Sequence, residues 1–68
     1  MKISARNQIS GTVTAVHPGA VNGTVLVDIG NGTIVTSSIT NEAITDLALA
    51  VGDTVTVIVK ASDVLIGK

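Results

Sequence analysis

The chain has 68 residues, four Lys and Arg against five Asp and Glu, a net charge of −1, and no Cys, Phe, Tyr or Trp. Such a length supports one small domain, residues 1–68, with a thin aliphatic core that no disulfide or thiolate metal site can staple. The charge balance excludes the basic patch of a nucleic-acid binder, and the longest apolar run, LALAV at 47–51, is far short of a membrane span.

In chain order, QISGTVTAV (8–16) alternates as a first strand: Ile9, Gly11, Val13 and Ala15 point one way, Ser10, Thr12 and Thr14 the other. Gly11 inside that pattern marks either a bulge or a close backbone approach. HPGAVNG (17–23) holds the only Pro and two Gly, which predicts a loop. TVLVDIG (24–30) is a second strand with Val25, Val27 and Ile29 on one face. Asn31-Gly32 is the strongest hairpin signal in the chain. It leads into a third strand, TIVTSSI (33–39).

The period then changes. Thr40 is a predicted N-cap with Glu42 in the first turn, and Ala43, Ile44, Leu47 and Ala48 fall at helical spacing, predicting one short helix over 41–47. TVTVIVKAS (54–62) is a fourth strand, with Val55, Val57, Val59 and Ala61 opposed to Thr56, Ile58, Lys60 and Ser62. DVLIG (63–67) either ends that strand or forms a fifth. The predicted fold class is all-β: a small five-stranded, closed OB-like barrel with one short helix between strands 3 and 4. With 13% charged residues, too little charge exists to cover an ordinary monomer surface, and small unstapled domains often gain stability by association. A homo-oligomer is therefore expected. No basic segment precedes an apolar stretch as in a signal peptide, so a cytoplasmic location is the default expectation.

The scarce cations are placed in a mirrored pattern. Ser4 and Arg6 near one end match Lys60 and Ser62 near the other. In extended chain, residues i and i+2 share a face about 6.6 Å apart, so each pair presents a cation and a hydroxyl together. Arg offers a planar fork of donors, Lys a point charge and Ser a rotatable donor. Such a set, with no carboxylate in it, suits an oxyanion, and two cations balance a dianion. TSSITN (36–41) adds hydroxyls and a helix N-terminus. Spacing alone leaves the plainer alternative open: Lys60 as a solvated edge charge and Arg6 as a surface residue.

Catalysis is not expected. The one His lies in a Pro-Gly turn, and nothing in the spacing of Ser10, His17 and Asp28 supports a nucleophile with its base. Asp28, Glu42, Asp46, Asp53 and Asp63 are scattered, with no metal-ligand spacing among them. Asp53 and Asp63 fit turn-capping roles. A nucleic-acid-binding OB module would need aromatic stacking platforms, which this chain lacks.

KISARNQISGTV, TSSITNEAI and VGDTVTVIVKASDVLIG resemble the molybdate-binding Mop, or molbindin, family over nearly the whole chain. SARN followed some fifty residues later by KASDV is a more specific pair than either alone. The resemblance implies an OB-like barrel assembled as a homohexamer, a trimer of dimers. It also implies molybdate or tungstate as the bound ligand, without an organic cofactor or direct metal coordination. By resemblance, one class of site uses Ser4, Ala5, Arg6, Lys60, Ala61 and Ser62, with Ala5 and Ala61 giving backbone N–H groups. Ser37, Ser38 and Thr40 would come from a neighbouring subunit. A second class of site, built from backbone amides, maps onto Val21, Asn22 and Gly23 with His17 nearby. The implied role is storage or buffering of the ion; the alternative is a sensing module that signals to a partner protein. A donor-only site would favour a fully deprotonated anion over phosphate, whose second pKa near 6 leaves part of it protonated at pH 7.

Overall fold

A computed structural model describes all 68 residues, and its secondary structure follows the Val/Ile/Thr patterning closely. Four strands form: β1 (Asn7–His17), β2 (Asn22–Asp28), β3 (Ile34–Thr40) and β4 (Thr54–Val59), with one helix, α1 (Asn41–Asp46), between β3 and β4. A single 3-10 turn covers Ala61–Asp63. The sheet order is β3-β2-β1-β4, every pair antiparallel.

The predicted five-stranded closed barrel is corrected to a curled four-stranded half-barrel. Two local causes end the sheet early. First, the β1–β4 register pairs Asn7 with Val59; continued, it would set Arg6 opposite Lys60, and like charges directly opposite destabilise a ladder. Second, the chain turns after Lys60: the Asp63 N–H donates to the Lys60 carbonyl at 2.9 Å and the Val64 N–H to that of Ala61 at 3.2 Å. The fourth strand therefore stops at Val59 rather than Ser62, and residues 64–67 form no strand.

Curvature comes from β1. Its first half pairs with β4 and its second half with β2, and a bulge interrupts the β2 register between Val13 and Ala15. A bulge bends its strand and increases local twist. Here it also shifts the alternation, so that Val16 joins Val13 against the core. Val13 is tied at the bend by two bonds to the loop before β4: its N–H donates to the Asp53 carbonyl at 2.9 Å, and the Gly52 N–H donates to its carbonyl at 2.8 Å. Gly11 is not the bulge. It is a close approach, where an added Cβ would stand 2.5 Å from Val27 Cγ1 and 2.8 Å from the Asp28 carbonyl oxygen.

The core is small and entirely aliphatic. Val13, Val25, Val27 and Ile44 are buried, with Val16, Ile29, Ile39, Leu49, Val55 and Val57 packed around them. The Asn31-Gly32 turn forms as expected, with φ of 53° and 77°, the two positive values of a type I′ hairpin. Thr40 caps α1, accepting the Ala43 N–H at 3.1 Å. The helix ends one residue earlier than predicted, in a Schellman arrangement: the Leu49 N–H donates to the Ile44 carbonyl at 3.1 Å and that of Ala48 to Thr45 at 2.9 Å. Ala48 holds the left-handed position, φ 50°, where glycine is usual. No helix is long and apolar enough to cross a membrane.

Candidate functional site

The two end motifs meet in one open depression of about 650 Å³, lined by Ile3, Ser4, Ala5, Arg6, Ile58, Lys60, Ala61, Ser62 and Asp63. The antiparallel register explains the meeting. The ladder's last pair is Asn7 with Val59, so the segment before β1 and the segment after β4 emerge side by side at the same end of the sheet. The mirrored motifs thus flank the two ends of an antiparallel pair. The sharing of a face by residues two apart in a strand is not how it works, because residues 3–6 precede β1 and residues 60–63 follow β4.

The donors in this depression are free. The side chains of Ser4, Arg6, Lys60 and Ser62 make no hydrogen bond within the chain. The backbone N–H groups of Ser4, Ala5, Arg6, Ala61 and Ser62 likewise find no partner in it. Backbone donors are normally paired or solvated, so so many free ones beside two cations make a surface ready to take an anion. One correction follows: Asp63 also lines the depression, so the set does contain one carboxylate.

Two side chains missed in the sequence hold the segments in place. Asn7 Nδ2 donates to the Val59 carbonyl at 3.1 Å, tying the start of β1 to the end of β4. Gln8 Nε2 donates to the Ala5 carbonyl at 2.9 Å. Asn is disfavoured in strands, and Asn7 at a strand end beside SAR could have been taken as a backbone tether.

Ser37, Ser38 and Thr40 lie in β3, at the opposite edge of the sheet from β4, and do not reach the depression within one chain. Ser37 faces the apolar cleft between β3 and β4. Ser38 is exposed, and the Thr40 hydroxyl is engaged as the helix cap.

The loop carrying the remaining candidates is built differently. His17 ends β1 and Asn22 opens β2, both exposed, with Val21 exposed between them. Asn41 clamps this loop: its Oδ1 accepts the Gly19 N–H at 3.2 Å, its Nδ2 donates to the Gly19 carbonyl at 2.7 Å, and its backbone N–H donates to the Val21 carbonyl at 2.8 Å. The N–H groups of Ala20 and Val21 remain unpartnered. Gly23 is buried, and a Cβ there would stand 2.5 Å from Ile44 Cδ1. Packing alone therefore accounts for glycine at that position.

The chain is thus a curled antiparallel half-barrel with a donor-rich depression where its two end segments meet. Residues 3–66 match the TOBE domain, and the chain belongs to that family. It is 43% identical over 67 residues to the "Probable molybdenum-pterin-binding protein" of Haemophilus influenzae, covering 98% of this chain and 97% of that one. Its fold superposes on a molybdate-binding protein from Sporomusa ovata with a TM-score of 0.93, at 38% identity and full coverage of both chains. A further match is the cytoplasmic molybdate-binding protein ModG, with molybdate bound: TM-score 0.89, 40% identity, 96% of this chain and 46% of that one. The Mop-type relatives and the OB-like fold match the family resemblance noted in the sequence.

Proposed function

We propose that this chain binds molybdate or tungstate as an intact oxyanion at the depression formed by Ser4, Ala5, Arg6, Lys60, Ala61 and Ser62, and that it stores or buffers the ion in the cytoplasm as a non-enzymatic binding protein. The observation that carries the reading is the cluster of unpartnered N–H and O–H donors around two cations. Arg6 and Lys60 offset the two negative charges of the ion, and hydrogen bonds to a charged acceptor are the stronger kind. Relatives named for molybdenum-pterin raise the question of which part is held. A pterin ring calls for a stacking partner, and this chain has no Phe, Tyr or Trp, its one His lying outside the depression; the donors in the depression fit the oxyanion.

The site is completed between subunits of a homo-oligomer, a hexamer of three dimers, with Ser37, Ser38 and Thr40 of a neighbour closing the depression. Large apolar groups exposed at Leu65 (92%), Ile66 (89%) and Val21 (71%) support association, as do the unpaired outer edges of β3 and β4. The loop held by Asn41 forms a second class of site through the N–H groups around Val21 and Asn22. Because a ligand held only by the assembly stabilises it by mass action, binding and assembly are coupled.

The test is titration calorimetry at pH 7 with molybdate, sulfate and phosphate, alongside size-exclusion chromatography. Molybdate heat with a stoichiometry of at least one ion per chain and little response to phosphate is the expected result. Equal heat from all three anions, or none from any, would sink the reading.

A further inference from the structure

We propose that Gln8 is a positioning residue for the oxyanion depression, and that through it the backbone N–H of Arg6 becomes one of the donors. The inference rests on the oxyanion reading above and adds to it a residue outside the lining. Gln8 lies in β1, its backbone fixed opposite Ile58 by the β1–β4 ladder. From that fixed base its Nε2 reaches back to the Ala5 carbonyl at 2.9 Å. Residues 3–6 have no ladder of their own, so this bond is what sets the Ala5–Arg6 peptide.

The peptide is planar and trans, so its C=O and N–H point in opposite directions. Holding the Ala5 carbonyl on Gln8 commits the Arg6 N–H to the other side. That N–H has no partner in the chain, and Ala5 and Arg6 both line the depression while Gln8 does not. The alternative orientation of the same peptide would turn a carbonyl oxygen toward a dianion and remove a donor at once. Gln8 thus acts on selectivity by keeping an acceptor out as much as by bringing a donor in. The bond is exposed, so it does little for stability, and its retention of a specific peptide orientation is the larger effect.

The test uses Gln8→Met, which keeps the length of the side chain and removes the donor. Sodium molybdate is titrated into the unmodified chain and the variant, with amide proton–nitrogen spectra recorded alongside. The variant is expected to bind on the order of threefold to tenfold more weakly, with an unchanged thermal midpoint in the absence of ligand. In the unmodified chain the Arg6 amide proton resonance moves downfield on saturation; in the variant that movement is lost or reduced. Molybdate binding by Gln8→Met equal to the unmodified chain overturns the role of Gln8 and leaves the oxyanion site standing. An Arg6 amide in the unmodified chain that ignores saturating molybdate overturns it too, whatever the variant does. No molybdate binding by the unmodified chain overturns the oxyanion reading itself, and the role of Gln8 with it.

Discussion

Two regions of this small molecule treat their polar groups in opposite ways. Around α1, the hydrogen-bonding side chains are committed to the backbone: Thr40 caps the helix, Asn41 takes both backbone groups of Gly19, and the helix end is closed by bonds to Ile44 and Thr45. Where the chain ends meet, two cations, two serine hydroxyls and five backbone N–H groups have no partner in the chain. The first region spends its hydrogen bonds on shape. The second keeps them available, which costs little in water but positions them for a ligand. The difference separates residues that build the module from residues that serve it, and single substitutions can break the distinction.

The largest effect is expected at the chain ends. Arg6→Ala or Lys60→Ala removes a charge-assisted donor, a class worth roughly 1.5–3 kcal/mol, so molybdate affinity should fall about tenfold to a hundredfold by calorimetry. The thermal midpoint should hold, since neither side chain bonds within the fold. A variant that unfolds more readily but binds as before would reverse the assignment of this region.

Asn41→Ala should do the converse. Losing two side-chain bonds from the loop costs about 1–2 kcal/mol, or a fall of roughly 4–15 °C in Tm for a domain of this size. The Gly19 amide should lose its protection from hydrogen exchange, while affinity at the Arg6–Lys60 depression stays as it was. If the second class of site exists, ions bound per chain should also drop, and that drop would show that the loop is more than scaffold.

Ala48→Gly sharpens the same contrast from the stabilising side. A left-handed backbone costs a non-glycine residue about 1–2 kcal/mol, partly offset by the greater freedom of glycine in the unfolded chain. A net gain of about 0.5–1 kcal/mol, read as a rise in Tm with no change in molybdate binding, is expected.

Legibility in the sequence divides along the same line. Strand alternation, the Asn31-Gly32 turn and the Thr40 cap are local, so each could be read from a few neighbouring residues. The mirrored Ser/Arg and Lys/Ser motifs stand out as a candidate site because charge is so scarce elsewhere. Their geometry was not legible, since it depends on the β1–β4 register and on where that ladder stops. The fifth strand was overread for the same reason: Val64, Leu65 and Ile66 have strand composition, and composition does not reveal whether an edge lies within reach. Asn41 escaped notice because its partner, Gly19, is 22 residues away.

Asp63 offers the smallest and most pointed test of the free-donor region. It is the one carboxylate in the depression, held there by the 3-10 turn that its own N–H closes onto Lys60. Its charge opposes that of a bound dianion, but the site is open to water, and exposed charge pairs contribute only about 0.2–1 kcal/mol. Asp63→Asn keeps the shape and the backbone bond, so molybdate should bind about twofold to fivefold more tightly, and less so at high salt, where the repulsion is already screened. A tightening that persists undiminished in 1 M salt would mean that the new amide donates to the ion directly. A weakening would mean that the carboxylate orders Arg6 or Lys60 before the ligand arrives, and the region would then be less free of internal commitments than its backbone hydrogen bonds imply.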